Sequence, residues 1–227
     1  MKKVALVTGC SSGIGLYITN HLLSTGWSVI GMSRRHPDCV EFSEYFTHIA
    51  VDLAETQALT QALAKIDKVD AIVHAAGLLR VGTYDQMSLE DGAMMWQIHL
   101  NAAAAIVQGL APCMDNGGRI VLIGSRVASG AAAKSLYAAS KSAFVGFSRS
   151  IAAELAKRAI TVNVVSPAAT DTPMLHDSNR EGSAPVLPPF GRYVKPEEIA
   201  GTVGFLLSDA AASITGQQIV VCAGSSL

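Results

Sequence analysis

Tyr137 and Lys141 stand four residues apart in a segment of helical period, so their side chains share one helix face. A phenol exchanges a proton with an alcohol or carbonyl near neutral pH only when its pKa falls from about 10, and lowering it by ~3 units takes about 4 kcal/mol. A neighbouring ammonium is the natural source of that stabilisation. By itself the pair does not define a site, because tyrosine and lysine meet at this spacing by chance in chains of this size.

A second constellation lies near the N-terminus. The apolar run Val4 to Val7 passes into Thr8-Gly9-Cys10-Ser11-Ser12-Gly13-Ile14-Gly15 and then a helical pattern. Glycines between a strand and a helix permit a tight turn, let backbone N–H groups approach a pyrophosphate, and place it at the positive end of the helix. The spacing is GxxxGxG rather than GxGxxG. The next apolar run ends in Met32-Ser33-Arg34-Arg35. A carboxylate there would bind the ribose 2′-OH of NAD, whereas an arginine takes a 2′-phosphate bidentately. Arg34 after Ser33 therefore favours NADP(H), with NAD(H) as the alternative. Asp52 ends the third run and either accepts from an adenine amine or caps the following helix.

Both constellations need a scaffold that converges them. Val4 to Val7, Trp27 to Met32, Ile49 to Val51, Ala71 to Val73, Ile120 to Ile123, Ile160 to Val165 and Gln218 to Val221 read as strands apolar on both faces, as a covered parallel sheet requires. Helical patterns separate them. The clearest is Leu136 to Leu155, where Phe144, Phe147, Ile151 and Leu155 form a stripe expected to be buried. The alternation predicts an α/β, Rossmann-type doubly wound, seven-stranded, mostly parallel sheet with helices on both faces, formed by residues 1–227 as a single domain. The stretch Pro167 to Pro196 holds six of the eight prolines and follows the sixth strand. It reads as a substrate-side loop or lid over about 171–195, the alternative being a solvated surface loop.

Composition narrows the partners. With 17 basic and 18 acidic residues the formal charge is −1, which provides no long-range field for nucleic acid or an anionic membrane surface. No run approaches the ~18 apolar residues of a membrane span, and Lys2-Lys3 precede too short an apolar stretch for a signal peptide. Cys10, Cys39, Cys113 and Cys222 lie far apart without metal-ligand spacing, and the six histidines form no ligand pair. A soluble, cytoplasmic protein with reduced thiols and no metal is expected.

Taken together, the glycine segment Thr8 to Gly15, His74-Ala75-Ala76-Gly77, Asn101, Ser125, Tyr137-Ala138-Ala139-Ser140-Lys141, Asn163 to Thr172 and Thr215-Gly216-Gln217-Gln218 resemble the short-chain dehydrogenase/reductase family over nearly the whole chain. The resemblance implies that Tyr137 is the general acid for reduction and general base for oxidation, and that Lys141 lowers its pKa and holds the nicotinamide ribose. It implies that Ser125 bonds the substrate oxygen and that Asn101 holds a water relaying protons from Lys141. Alternative roles are a loop cap for Ser125 and a backbone bond for Asn101. Gly9, Ser11, Ser12, Gly13, Ile14, Gly15, Ser33, Arg34, Asp52 and Leu53 would contact the adenosine and phosphate part of the cofactor. Ala75, Ala76 and Gly77 would line the same groove. Pro167, Ala168, Thr170 and Thr172 would meet the nicotinamide side, together with Tyr137 and Lys141.

Three departures stand out. Ser125 precedes Tyr137 by one residue fewer than is common, yet Ile123-Gly124-Ser125 directly ends a strand, which selects it over Ser129. His74-Ala75 replaces Asn-Asn, so His74 is expected to take a structural role, with catalysis as the alternative. Pro167-Ala168 replaces Pro-Gly, which questions any conformation needing positive φ.

The implied activity is NADP(H)-dependent interconversion of a carbonyl and a secondary alcohol on a small-molecule substrate. One alternative is a 3-oxoacyl-thioester (acyl-carrier-protein) reductase, which a basic patch from Arg119, Arg126 and Arg158 would favour. Another is a reductase of cyclic ketones, sugars or steroids. A different class is a non-catalytic NADP(H)-binding regulator. His176, Asp177, Arg180, Glu181 and Arg192 are the candidate substrate-reading charges of the loop. The resemblance also implies a homotetramer or homodimer packed through helices over about Ser88 to Pro112 and Ser135 to Arg158, with alanine-rich faces at Ala102 to Ala105 and Ala152 to Ala156.

Overall fold

The computed structural model describes residues 2–40, 43–177 and 184–227. Its strands are β1 Val4–Thr8, β2 Ser28–Ser33, β3 Phe46–Ala50, β4 Ala71–His74, β5 Arg119–Ile123, β6 Thr161–Pro167 and β7 Gln218–Val221. They form one sheet in the order β3-β2-β1-β4-β5-β6-β7, and every neighbouring pair is parallel. β3 begins three residues earlier than the apolar run Ile49 to Val51 indicated. Pairing of Val29 to Ser33 with Phe46 to Ala50 recruits Phe46, Thr47 and His48, whose mixed polarity hid them.

The helices are α1 Gly13–Ser24, α2 Thr56–Leu63, α3 Leu89–Trp96, α4 Ala102–Leu110, α5 Ser135–Leu155 and α6 Pro196–Leu207. Alternate residues of each strand face opposite layers. Ala5 and Val7 pack with Ile18 and Leu22 of α1 and Val203 and Leu206 of α6. Leu6 packs on the other face with Leu59 of α2, Ile106 of α4 and Phe144 of α5. In the expected stripe of α5, Phe144 is fully buried, while Phe147, Ile151 and Leu155 are half-buried against the core. Ala102, Ala103 and Ala152 belong to this same core, so those alanines serve packing within the chain.

Strand order reverses between β1 and β4, where Thr8 pairs in register with His74. Helices leaving these two strands diverge to opposite faces, which opens a crevice at their carboxyl ends. Asn163 of β6 fixes the other side of the sheet. Its amide donates to Ile214 O at 2.7 Å and its Oδ1 accepts from Gln217 N at 3.1 Å, docking the Thr215-Gly216-Gln217-Gln218 turn that starts β7.

Candidate active site

A cleft of about 1160 Å³ lies along the carboxyl ends of the strands. At one end the chain turns sharply out of β1. Gly9 has φ +69°, and a Cβ there would lie 2.8 Å from Ala76 Cα; a Cβ on Gly15 would lie 2.2 Å from Gly9 O. Only glycine lets the turn, the β4 end and the first turn of α1 come this close. The N-terminus of α1 carries no acidic residue, and the Ser12 side chain does not cap it. Its N–H groups therefore suit an anion supplied from outside the chain. Ser11, Ser12, Gly13, Ile14, Ala75, Ala76 and Gly77 line this part of the cleft. Thr172 closes it from the other side, lying 3.6 Å from where a Gly13 Cβ would be.

Beyond β2, Ser33, Arg34, Asp52 and Leu53 line the same cleft, joined by Arg35. Arg34 and Arg35 are exposed, and neither has an ion-pair partner among the described residues. Ser33 Oγ is committed to the backbone, donating to Arg35 O at 2.7 Å. Asp52 does not cap α2, whose N-cap is Glu55 without a side-chain bond; Asp52 Oδ1 instead accepts from Ala54 N at 3.0 Å in the turn before the helix, and the residue lines the cleft.

At the other end, β5 delivers Ser125 and α5 delivers Tyr137 and Lys141 to the cleft wall. Lys141 is 5% exposed, and Nζ donates to Ile123 O at 2.8 Å. Burial holds its pKa down to about 7. Ser125 Oγ accepts from Val127 N at 3.3 Å, so it caps the turn after β5 while lining the cleft. Ser129 is exposed and bonds Arg126 O instead. Pro167, Ala168 and Thr170 form the adjoining wall. Ala168 needs no left-handed conformation, since among the described residues the non-glycine positions with positive φ are Ala133, Ala159 and Ala223.

Asn101 is not brought to this cleft. It is exposed, and its Nδ2 donates to Gln97 Oε1 at 2.7 Å. The residue that faces inward is His99, fully buried on the π-helical turn Gln97–Asn101. At roughly 100° per residue, positions two apart point to nearly opposite sides of a helix. The signal available in the sequence was a histidine set between Ile98 and Leu100, just before the alanines.

His74 takes the structural role. It is 1% exposed and does not line the cleft, and burial, followed by the Lys141 charge, lowers its pKa to about 3. Thr8 Oγ1 accepts from the N–H groups of Ala75 and Ala76, both at 3.1 Å, and so must donate to His74 Nδ1 at 2.9 Å. His74 Nε2–H then donates to Ile98 O at 3.1 Å. This network ties the two central strand ends to each other and to the π-helical turn.

Among the described residues, the loop lines the cleft with apolar side chains: Met174, Leu175, Pro185, Val186, Leu187 and Pro189. Met94 and Ile98 line the same cleft, as do Ser225 and Leu227 near the C-terminus, which no motif indicates. Of the candidate loop charges, His176 pairs with Asp171 at 3.0 Å. Arg192 makes a bidentate pair with Glu198. Neither lines the cleft, nor does Asp177. Arg180, Glu181, Gly182 and Ser183 lie outside the described residues. Nor do Arg119, Arg126 and Arg158 converge. Arg119 is buried at the opposite end of β5, bonded to Gly117 O and Gly118 O, and Arg158 donates to Ala111 O and Met114 O. Only Arg126 reaches the cleft.

A glycine-built anion cradle that shares a cleft with a buried lysine, a tyrosine and a serine defines a dinucleotide-dependent oxidoreductase. A family model described as enoyl-(acyl carrier protein) reductase matches residues 9–226. The chain is 35% identical to the 3-oxoacyl-[acyl-carrier-protein] reductase FabG of Escherichia coli K12, over 98% of this chain and 96% of that protein. It is 34% identical to 2,3-dihydro-2,3-dihydroxybenzoate dehydrogenase of the same organism, over 99% of this chain and 97% of that one. A short-chain dehydrogenase family protein of Francisella tularensis superposes with a TM-score of 0.91 at 28% identity, covering 100% of this chain and 99% of that one. A blue fluorescent protein from a metagenomic library, solved in complex with NADPH, superposes with a TM-score of 0.87 at 32% identity, covering 99% and 98%. The chain belongs to the short-chain dehydrogenase/reductase family and is an oxidoreductase acting on CH–OH groups.

Proposed function

We propose that the protein is an NADP(H)-dependent oxidoreductase that interconverts a ketone and a secondary alcohol. The observation that carries this reading is the single cleft in which Ser125, Tyr137 and Lys141 stand opposite the α1 cradle and Arg34. The cofactor would supply the hydride. The α1 N-terminus and glycine turn would hold its pyrophosphate, with Arg34 on the 2′-phosphate and Thr170 and Thr172 toward the nicotinamide side. Tyr137 would give its phenolic proton to the carbonyl oxygen during reduction and take it back during oxidation, Ser125 would hydrogen-bond that oxygen, and the Lys141 ammonium would favour the phenolate. NADP(H) in place of NAD(H) is supported by the two exposed arginines that line the cleft after β2 and by the NADPH bound to the metagenomic neighbour.

The apolar walls at Met94, Ile98, Met174, Leu175, Val186 and Leu187 suit a substrate with an apolar body around one carbonyl. A second reading, 3-oxoacyl-thioester reduction, is favoured by these walls together with the activity named for the FabG relative. The three-arginine carrier patch does not support it, since Arg119 bonds the carbonyls of Gly117 and Gly118, Arg158 bonds those of Ala111 and Met114, and neither lines the cleft. We also read residues 1–227 as one domain and the protein as a cytoplasmic homodimer or homotetramer, on the family resemblance. No helix among the described residues is long and apolar enough to cross a membrane. Elution volume on a sizing column tests the assembly. NADPH oxidation against a panel of ketones, keto acids and 3-oxoacyl thioesters tests the activity: turnover on members of the panel supports the reading, and none on any member contradicts it.

A further inference from the structure

The hydrogen-bond partners of His99 fix its tautomer by elimination. Ser140 Oγ donates its one hydrogen to Tyr137 O at 2.8 Å, so at 2.9 Å it accepts from His99 Nδ1. On the other side of the ring, Leu78 N–H donates to His99 Nε2 at 3.2 Å. Both ends demand the same neutral imidazole, with hydrogen on Nδ1 and the lone pair on Nε2. A charged ring would set N–H against N–H at Leu78 and place a second cation beside Lys141.

His99 thereby touches each part that the chemistry needs in register. A Cβ on Gly77 would lie 3.0 Å from His99 Nε2 and 3.4 Å from Lys141 Nζ, so imidazole and amine crowd the same side of the β4 turn. The Tyr137 ring meets the imidazole edge-on, with centroids 5.7 Å apart. The widened π-helical turn at Gln97–Asn101 aims the ring inward, and His74 holds that turn through Ile98 O.

We propose that His99 is a positioning residue for Tyr137 and Lys141, pinning the helical turn that bears them to the Gly77–Leu78 backbone through its two ring nitrogens. The proposal rests on the reading of Tyr137 as the proton-transfer group. A side chain that only filled space here would be replaceable by an apolar ring, whereas a pin needs a donor toward Ser140.

The test compares His99→Phe, His99→Asn and Ser140→Ala with the wild type and Tyr137→Phe, measuring kcat and NADPH affinity. His99→Phe is expected to lower kcat by about tenfold or more while NADPH affinity changes by less than about threefold, a split that separates positioning from binding. His99→Asn, which returns an N–H toward Ser140, should recover most of the loss. Ser140→Ala should lower kcat by at least about threefold, and combining it with His99→Phe should add little, because both remove the same link. Wild-type kcat in His99→Phe, or His99→Asn no better than His99→Phe, overturns the proposal. If the phenylalanine variant does not fold, unchanged kcat in Ser140→Ala overturns it instead. The chemical shifts of the labelled ring nitrogens need no turnover: hydrogen on Nδ1 supports the pin, and hydrogen on Nε2 overturns it. Absence of wild-type turnover, or full activity in Tyr137→Phe, counts against the oxidoreductase reading itself and leaves the ring-nitrogen shifts to decide His99.

Discussion

Lys141 Nζ donates to the carbonyl oxygen of Ile123 at 2.8 Å, which couples the helix that carries Tyr137 to the end of the strand that delivers Ser125. The bond comes with a cost, because an ammonium 5% exposed has surrendered most of its hydration, and this burial pulls its pKa from 10.5 to about 7.

That shift predicts a pH dependence of stability. Between about 7 and 10.5 the unfolded chain keeps the lysine proton and the cofactor-free fold releases it, so unfolding free energy rises with pH across this window. Below it the fold carries the full cost of a buried charge. Lys141→Met should therefore be more stable than the wild type at pH 6, by an amount on the order of a few kcal/mol, while losing activity. The difference should shrink as pH rises toward 10. Urea unfolding across pH checks this, and a pH-independent difference would contradict it.

Acid should act through the buried histidines. His74 is held to about 3, and burial lowers His99 well below 6.5 as well. As pH falls below 6.5 the unfolded chain takes up protons that these rings refuse, so the stability they contribute is present above 6.5 and is lost as pH falls toward 3. His74→Gln should reduce proton uptake on unfolding at pH 5 by about one proton, read from the slope of unfolding free energy against pH. An unchanged slope would show that His74 titrates normally in the fold.

Cofactor choice should follow Arg34. Replacing it with alanine is expected to weaken NADPH binding by about tenfold or more and to alter NADH binding by less than about twofold, because only the 2′-phosphate distinguishes the two. Fluorescence titration of both cofactors measures the ratio. Arg35→Ala serves as the comparison, since Arg35 lines the same part of the cleft. Loss of NADPH preference in Arg35→Ala alone would move the phosphate to the neighbouring arginine.

How far the molecule was legible in its sequence depended on whether a residue's environment is set locally. Runs such as Ile120 to Ile123 declare buried parallel strands because both faces must be apolar, and Gly9 and Gly15 stand where their neighbours leave no room for a Cβ. Tyr137 and Lys141 share a face by helix geometry alone. The environments of Asn101 and His99 are not set locally. They lie two residues apart on a helix whose π-turn sets which one faces inward, and that turn is held by His74, Leu78 and Ser140 from distant segments. The place of Ser225 and Leu227 along the cleft was hidden for the same reason, since only the folded chain brings them there.

That Tyr137 transfers the proton accompanying hydride transfer in this cleft is tested most directly by single-turnover oxidation of bound NADPH in the wild type and in Tyr137→Phe, using a ketone the wild type reduces. The variant is expected to bind NADPH as the wild type does and to reduce the ketone at least about a hundredfold more slowly, the scale of a lost general acid. A variant that binds NADPH and turns over at the wild-type rate would contradict it.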